Sequence, residues 1–436
     1  MKIRQLAEMD FSLLIAVFLL SFFGVIFIYS SGVTSTGVVV SNEYMKQMIW
    51  VIAGILIVLA VSLMNYRRFY DLSIYLYFGI ILILIYTRLF GKIVNGAKSW
   101  IGISLFGIQP SEFAKFATIL FLARYLDSSK SNHKDFKRFI IACLIVLLPI
   151  ALILSQPDLG TALVFIPILL VMTYIAGTPS RYVTFLGSLI FMTGILTVLP
   201  FWQQYILEGK YPILRMFLDF RSLVVSSIIA SLISILAIFA YTRYARKYFY
   251  WIGYLSLIIL LALLFSFVGR IVLKDYQIMR LIVFLDPNVD PRGSGWNIIQ
   301  SVTAIGSGGL LGKGFLQGTQ SHYRFLPQQS TDFIFSIFSE EWGFLGGLLV
   351  FILYLLISMR LIKIMQTTTD PFGAYLCAGL ASVYVFHFIV NVGMTMGVMP
   401  ITGIPLLFMS YGGSSLLAAM IGIGFAMSIY MRRFEH

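Results

Sequence analysis

The residues best equipped for chemistry stand together in Phe284-Leu285-Asp286-Pro287-Asn288-Val289-Asp290-Pro291-Arg292-Gly293-Ser294-Gly295-Trp296. Each aspartate precedes a proline, which biases it toward extended backbone. With two glycines close behind, the prolines dictate a rigid turn able to aim a carboxylate, as a general base requires. The same residues suit plain turn capping, each carboxylate bound to local amides. Spacing alone leaves both readings open.

A second stretch, Gly306-Ser307-Gly308-Gly309-Leu310-Leu311-Gly312-Lys313-Gly314, invites comparison with a phosphate loop. The nucleotide pattern fails, because Ser307 replaces its first glycine and Gly314 its Ser or Thr. No nucleotide is expected, although the amides and Lys313 could still cradle a pyrophosphate. Glu112 and Lys115 are three apart at the head of an apolar run and share a helix face. Charges in such runs face a cavity or one another. Asp158, in Gln156-Pro157-Asp158-Leu159-Gly160-Thr161, and Asp332, after Thr331, read as helix N-caps. Glu340, Glu341, and the pair His387 and Asn391 on one face are polar groups inside apolar runs with no role to assign. Cys143 and Cys377 lie in apolar runs and read as small filler. No Ser/His/Asp order, His/Cys cluster or HExxH motif supports a hydrolase or a zinc enzyme.

These residues need a scaffold, and composition decides its class. With 59% hydrophobic and 11% charged residues, a 436-residue chain cannot hide its apolar surface in water. Repeated runs reach the roughly 20 apolar residues that cross a bilayer as a helix. The alternation of a membrane barrel is missing. The expected fold is an all-α polytopic membrane protein of about twelve transmembrane helices, at 11–31, 46–64, 71–90, 111–126, 137–155, 159–177, 181–200, 223–242, 249–270, 332–358, 373–396 and 404–431. The first run is too long for a signal-peptide core and lacks a cleavage site, so it reads as a retained span.

A net charge of +13 would suggest nucleic acid in a soluble protein. Here the basic residues are separated by spans, and no nucleic-acid module is recognisable; anionic headgroups and pyrophosphates are the expected partners. With Lys2 and Arg4 in the cytoplasm, the even connections carry Arg67 and Arg68; Lys130, Lys134, Lys137 and Arg138; Arg243, Arg246 and Lys247; Arg360 and Lys363. Arg432 and Arg433 end the chain on the same side, so both termini are expected inside. The long basic connection 271–331 then falls outside the membrane. Its Phe284, Trp296 and Leu326 argue for a folded loop, read as the active-site loop.

Five blocks together resemble the SEDS (shape, elongation, division, sporulation) membrane glycosyltransferases: Asn95-Gly96-Ala97-Lys98-Ser99-Trp100 into Gln109-Pro110-Ser111-Glu112-Phe113-Ala114-Lys115; Gln156 to Ala162; Asp286-Pro287 through Asp290-Pro291 to Gly295; Phe325-Leu326-Pro327 with Thr331-Asp332-Phe333-Ile334-Phe335; and Pro400-Ile401-Thr402-Gly403-Ile404-Pro405 to Ser410-Tyr411-Gly412-Gly413-Ser414-Ser415. They follow the family's order along most of the chain. Gly318-Thr319-Gln320-Ser321 is more similar to the elongation branch than to the division branch. Gln328 and Ser330 stand where Glu and His are frequent, and Leu407 where Pro is common. Residues 201–248 read as an insertion that adds two spans to a ten-helix core within a single membrane domain, 1–436.

The resemblance implies polymerisation of lipid II into β-1,4 glycan strands, with inversion and release of undecaprenyl pyrophosphate, in the bacterial cytoplasmic (inner) membrane. It favours Asp290 as the catalytic base. Glu112, Lys115, Asp158, Asp286, Arg292, Lys313 and Asp332 are the expected substrate-cavity residues. No protein metal ligands are expected, but a divalent cation, Mg²⁺ or Mn²⁺, is left open to compensate leaving-group charge. The implied partners are a class B penicillin-binding protein (a transpeptidase) and other elongation-machinery proteins. A lipid II flippase and a non-enzymatic scaffold are the alternative functions.

Overall fold

In the computed structural model, residues 9–94, 97–102, 107–130, 135–206 and 220–433 are described. Lys2, Arg4, Asn95, Gly96, Lys134 and part of the 201–248 stretch lie outside them. The described chain is almost wholly helical: α1 Phe11–Ser31, α2 Glu43–Leu63, α3 Arg68–Phe90, α4 Pro110–Ser128, α5 Asp135–Ser155, α6 Leu159–Ile175, α7 Ser180–Tyr205, α8 Phe220–Tyr244, α9 Lys247–Val272, α10 Asp275–Leu285, α11 Ser294–Ser307, α12 Thr319–His322, α13 Ile334–Thr367, α14 Pro371–Thr395 and α15 Gly413–Met431. A two-stranded antiparallel hairpin, β1 Lys92–Val94 with β2 Ala97–Trp100, follows α3.

Ten of the described helices are long and apolar enough to cross a membrane. Helices also stand at the other two expected positions, α4 and α6. Helix α4 carries Glu112, Lys115, Arg124 and Asp127, and α6 is a shorter apolar helix. Both are enclosed by protein, and enclosure explains why α4 can carry charge: its neighbours replace lipid. The last expected span, 404–431, is helical only from Gly413. Residues 400–412 are irregular, a departure explained below by side chains that satisfy their backbone. Asp332 is not an N-cap; Phe333 holds that position in α13, with no capping side chain.

The chain divides into two compact units, residues 1–178 with 300–436, and residues 179–299. The 271–331 connection is therefore shared between them and is largely helical. In the first unit, α13 packs on α1 and α14, α14 on α4 and α6, and α15 on α2 and α4. Helices α14 and α15 are the most enclosed spans, with 67% and 78% of their apolar windows buried, whereas α2 keeps only 22% buried.

Basic side chains gather at one end of this unit. Buried Asp10, the N-cap of α1, pairs with Arg360 near the end of α13 at 2.5 Å. Asp370 accepts from Tyr66 and Arg67 at 2.8 and 3.3 Å. Arg432 donates to the carbonyls of Ser62 and Leu63, and buried Arg138 to those of Leu126 and Ala176. Arginines thus satisfy the orphan carbonyls where α2, α4 and α6 end, with favourable sign for the helix dipole.

In the second unit, α7 packs on α9 through Leu189, Leu196, Ala262 and Leu263, with Phe185 and Met192 against them. Helices α8 and α9 approach along Ala230, Ser234 and Ala237, and Ser234 donates to Ser256 at 2.9 Å. Small residues permit that close approach in lipid.

Candidate active site

Glu112 and Lys115 of α4 are enclosed. Pro110 at the first helical position starts the helix, and Lys115, 1% exposed, donates to Glu112 Oε2 at 2.8 Å. The second partner of its ammonium lies far along the chain: His387 Nε2 on α14, 3.0 Å away. His387 Nδ1 is 2.9 Å from the Pro405 carbonyl. A carbonyl can only accept, so Nδ1 carries the proton and Nε2 offers a lone pair to the lysine. The cluster is one ion pair plus a neutral imidazole, a composition that burial tolerates.

Pro405 belongs to the irregular 400–412 segment. Backbone of this kind persists within a membrane protein only where protein satisfies it. Asn391, one turn after His387, donates to the carbonyls of Ile404 and Asp332 at 2.8 and 2.9 Å. Gln47 donates to the Ser410 carbonyl at 3.1 Å and accepts from the Gly412 amide at 3.3 Å. Tyr354 donates to the Leu407 carbonyl, and the Tyr411 amide to that of Ser330 at 2.8 Å. Phe408 takes a φ of +70° there, unusual for a side chain of that bulk.

Asp158 caps α6 as expected, accepting from the Thr161 amide at 3.1 Å and hydroxyl at 2.9 Å. It also accepts from Gln109 Nε2 at 2.9 Å, and the Gln109 amide donates to Ser414 Oγ at 3.0 Å. The first turns of α4, α6 and α15 are thereby joined by polar side chains. The Asp332 carbonyl is held by Asn391 of α14.

The glycine-rich stretch does something other than cradle phosphate. Helix α13 breaks at Gly343, whose φ of +63° and ψ of −160° suit glycine only. The 308–314 backbone fills the break. Phe344 and Leu345 amides donate to the Gly309 and Leu310 carbonyls at 2.9 and 3.2 Å, while Lys313 and Gly314 amides donate to the Glu340 and Glu341 carbonyls at 3.0 and 2.9 Å. Gly312, with φ +81°, lies so close to the Glu341 carbonyl that a Cβ there would clash. The amides of Gly312, Lys313 and Gly314 are thus committed to protein carbonyls, and the Lys313 ammonium is 2.8 Å from Glu340 Oε1. As a phosphate contact Lys313 would have to leave or share that partner.

Glu340 and Glu341, without a sequence role, are the anchors of this region. Glu340 accepts from Lys313 and from the Thr319 and Gln320 amides at 2.8, 2.8 and 3.0 Å. Glu341 accepts from Ser30 Oγ and from the Leu316 amide at 3.1 Å. Buried His322 holds the Val33 carbonyl at 2.7 Å through Nδ1 and places Nε2 3.6 Å from Glu341, an ion-pair rather than hydrogen-bond distance. The Glu341 carboxylate raises the His322 pKa above the ordinary imidazole value, against the opposing effect of burial.

Asp286, Asp290 and Arg292 lie in the second unit, in the turn between α10 and α11. Asp286 accepts from the Asn288 amide and side chain at 2.9 and 3.1 Å. Asp290 accepts from the Gly293 and Ser294 amides at 3.1 and 2.8 Å, at the start of α11. Both carboxylates are bound by local groups of their own turn, the arrangement that turn capping also gives, and Asp290 stays half-buried beside exposed Arg292. Among the described residues no group of three or more His, Cys, Asp or Glu is placed to hold a metal ion.

Fold and site together define a polytopic helical membrane protein with charged clusters held in its interior, and the chain belongs to the FTSW_RODA_SPOVE family of cell cycle proteins, matched over residues 11–222 and 222–434. It is 52% identical over 434 residues to the peptidoglycan glycosyltransferase RodA of Treponema pallidum, covering 99% of this chain and 100% of that one. It is 32% identical to the peptidoglycan glycosyltransferase MrdB of Escherichia coli K12, over 87% of this chain and 83% of the relative. Among solved structures, a chain from a peptidoglycan synthase complex that coordinates polymerization and crosslinking superposes with a TM-score of 0.69 at 25% identity, covering 98% of this chain and 99% of that one.

Proposed function

We propose that this chain is a peptidoglycan glycosyltransferase that polymerises lipid II during cell elongation. The observation that carries the reading is 52% identity, along essentially the whole length, to a protein named for that activity. The GlcNAc 4-hydroxyl of one lipid II attacks the MurNAc anomeric carbon of another. The new β-1,4 bond forms as the α-linked undecaprenyl pyrophosphate leaves. Asp290, held in its turn by two amides, takes the hydroxyl proton as attack develops. The leaving pyrophosphate needs charge compensation more than an acid, a role that suits Lys115 and, with its partner shared, Lys313 or exposed Arg292. Glu112, Asp158, Asp286 and Asp332 serve as positioning groups.

The 271–331 connection is read as the outer-face catalytic loop and 201–248 as an added pair of spans. Both termini lie on the cytoplasmic side of the inner membrane, a reading supported by arginines gathering at the end of the first unit that holds Asp10, Arg360 and Arg432. A class B penicillin-binding protein is the partner, because glycan strands need crosslinking. The likeness to a chain of a synthase complex supports it.

The test is purified chain with lipid II, scored for glycan strands, beside translocation of fluorescent lipid II in proteoliposomes. Polymer supports the enzyme. Translocation without polymer means a flippase, and neither activity means a scaffold.

A further inference from the structure

His387 touches two things at once: a charged side chain of α4 and the backbone of the irregular 400–412 segment. The second contact duplicates what Asn391 already does one turn on, where it binds the adjacent Ile404 carbonyl at 2.8 Å. The first contact has no duplicate on α14. Lysine is a donor only, so it needs acceptors; Glu112 gives one at 2.8 Å and the His387 Nε2 lone pair another at 3.0 Å. With Nδ1–H committed to Pro405 at 2.9 Å, the ring cannot switch tautomer without losing that bond and presenting an N–H to the ammonium.

We infer that His387 is a positioning residue for Lys115, its Nε2 lone pair fixing where the ammonium points and its Nδ1–H tying that point to the Pro405 backbone. The inference rests on the reading of Lys115 as a substrate-site cation. Two acceptors hold two of the three N–H bonds of Lys115 and define the direction of the third. A purely space-filling histidine would have no preference between its two nitrogens. This one does.

Glutamine and asparagine separate the two contacts. His387→Gln can place an oxygen near the Nε2 position and so keeps an acceptor for Lys115. His387→Asn reaches only the Nδ1 position and keeps a donor for Pro405. With purified full-length protein and lipid II, His387→Gln is expected to retain at least about a third of the wild-type kcat. His387→Asn is expected to fall about 10- to 100-fold, the worth of one hydrogen bond to a charged group, with KM changed much less. Asparagine as active as glutamine, or an equal loss in both, would overturn the inference. A wild-type chain that makes no polymer refutes the functional reading instead. The contact is then decided by a melting cycle: Lys115→Met and His387→Leu together should lower Tm by less than the sum of their separate shifts, and additive shifts overturn it.

Discussion

Replacing Glu340 by alanine removes an anchor of the loop that fills the break in α13. The carboxylate is fully buried, and its Oε1 accepts from Lys313 Nζ, the Thr319 amide and hydroxyl, and the Gln320 amide, all at 2.8 to 3.0 Å. Bonds to a charged group contribute about 1.5–3 kcal/mol each when enclosed. Lys313 is 25% exposed and can regain water, as can Thr319, so the sum must be cut by about half. Alanine should then cost about 3–6 kcal/mol, a large part of a typical stability. Glutamine keeps the acceptor oxygen and loses only the charge, at about 1–2 kcal/mol. Thermal melting in detergent, paired with limited proteolysis, should rank wild-type above glutamine above alanine, with new cleavage between residues 308 and 322. Wild-type melting and unchanged cleavage in Glu340→Ala would refute the anchoring role.

The remaining predictions concern the same region. His322 has a raised pKa in the fold, so its stabilising contribution is complete below the ordinary imidazole value of about 6.5 and fades as pH rises through the raised one. His322→Asn keeps a donor for Val33 but cannot titrate; the melting gap from wild-type should be widest near pH 6 and narrow toward pH 9, and a constant gap would contradict the Glu341 pairing. Gly312→Ala should cost folded yield heavily, through left-handed strain of about 1–3 kcal/mol plus collision with the Glu341 carbonyl. Gly37→Ala is the control: its φ of +78° is similar but its surroundings are open, so a loss equal to that of Gly312→Ala would show that strain alone is at work.

Helix positions were legible because roughly 20 apolar residues in a row have one stable form in lipid. The Glu112–Lys115 pair was legible for the same local reason, three residues apart on a helix face. Their third partner was not, since His387 is 272 positions from Lys115, although His387 and Asn391 on one face of an apolar run marked a polar seam. Helix α15 starts later than the apolar run suggests, because 404–412 is apolar but irregular. Its irregularity depends on Gln47, Tyr354, His387 and Asn391, which come from three other helices. The glycines at 306–314 announced close backbone approach, but not to what. A phosphate and the broken backbone of α13 make the same demand for small residues and free amides.

Asp290 carries the central claim, and the Asp290→Asn variant tests it most directly. Asparagine caps a helix about as well as aspartate and keeps an oxygen for the Gly293 or Ser294 amide, but it cannot take a proton. A base lost from its site should lower lipid II polymerisation by about 10²- to 10⁴-fold while the melting temperature stays within a few degrees of wild-type. Glycan strands formed by a folded Asp290→Asn protein at the wild-type rate would leave Asp290 a turn cap and contradict the account.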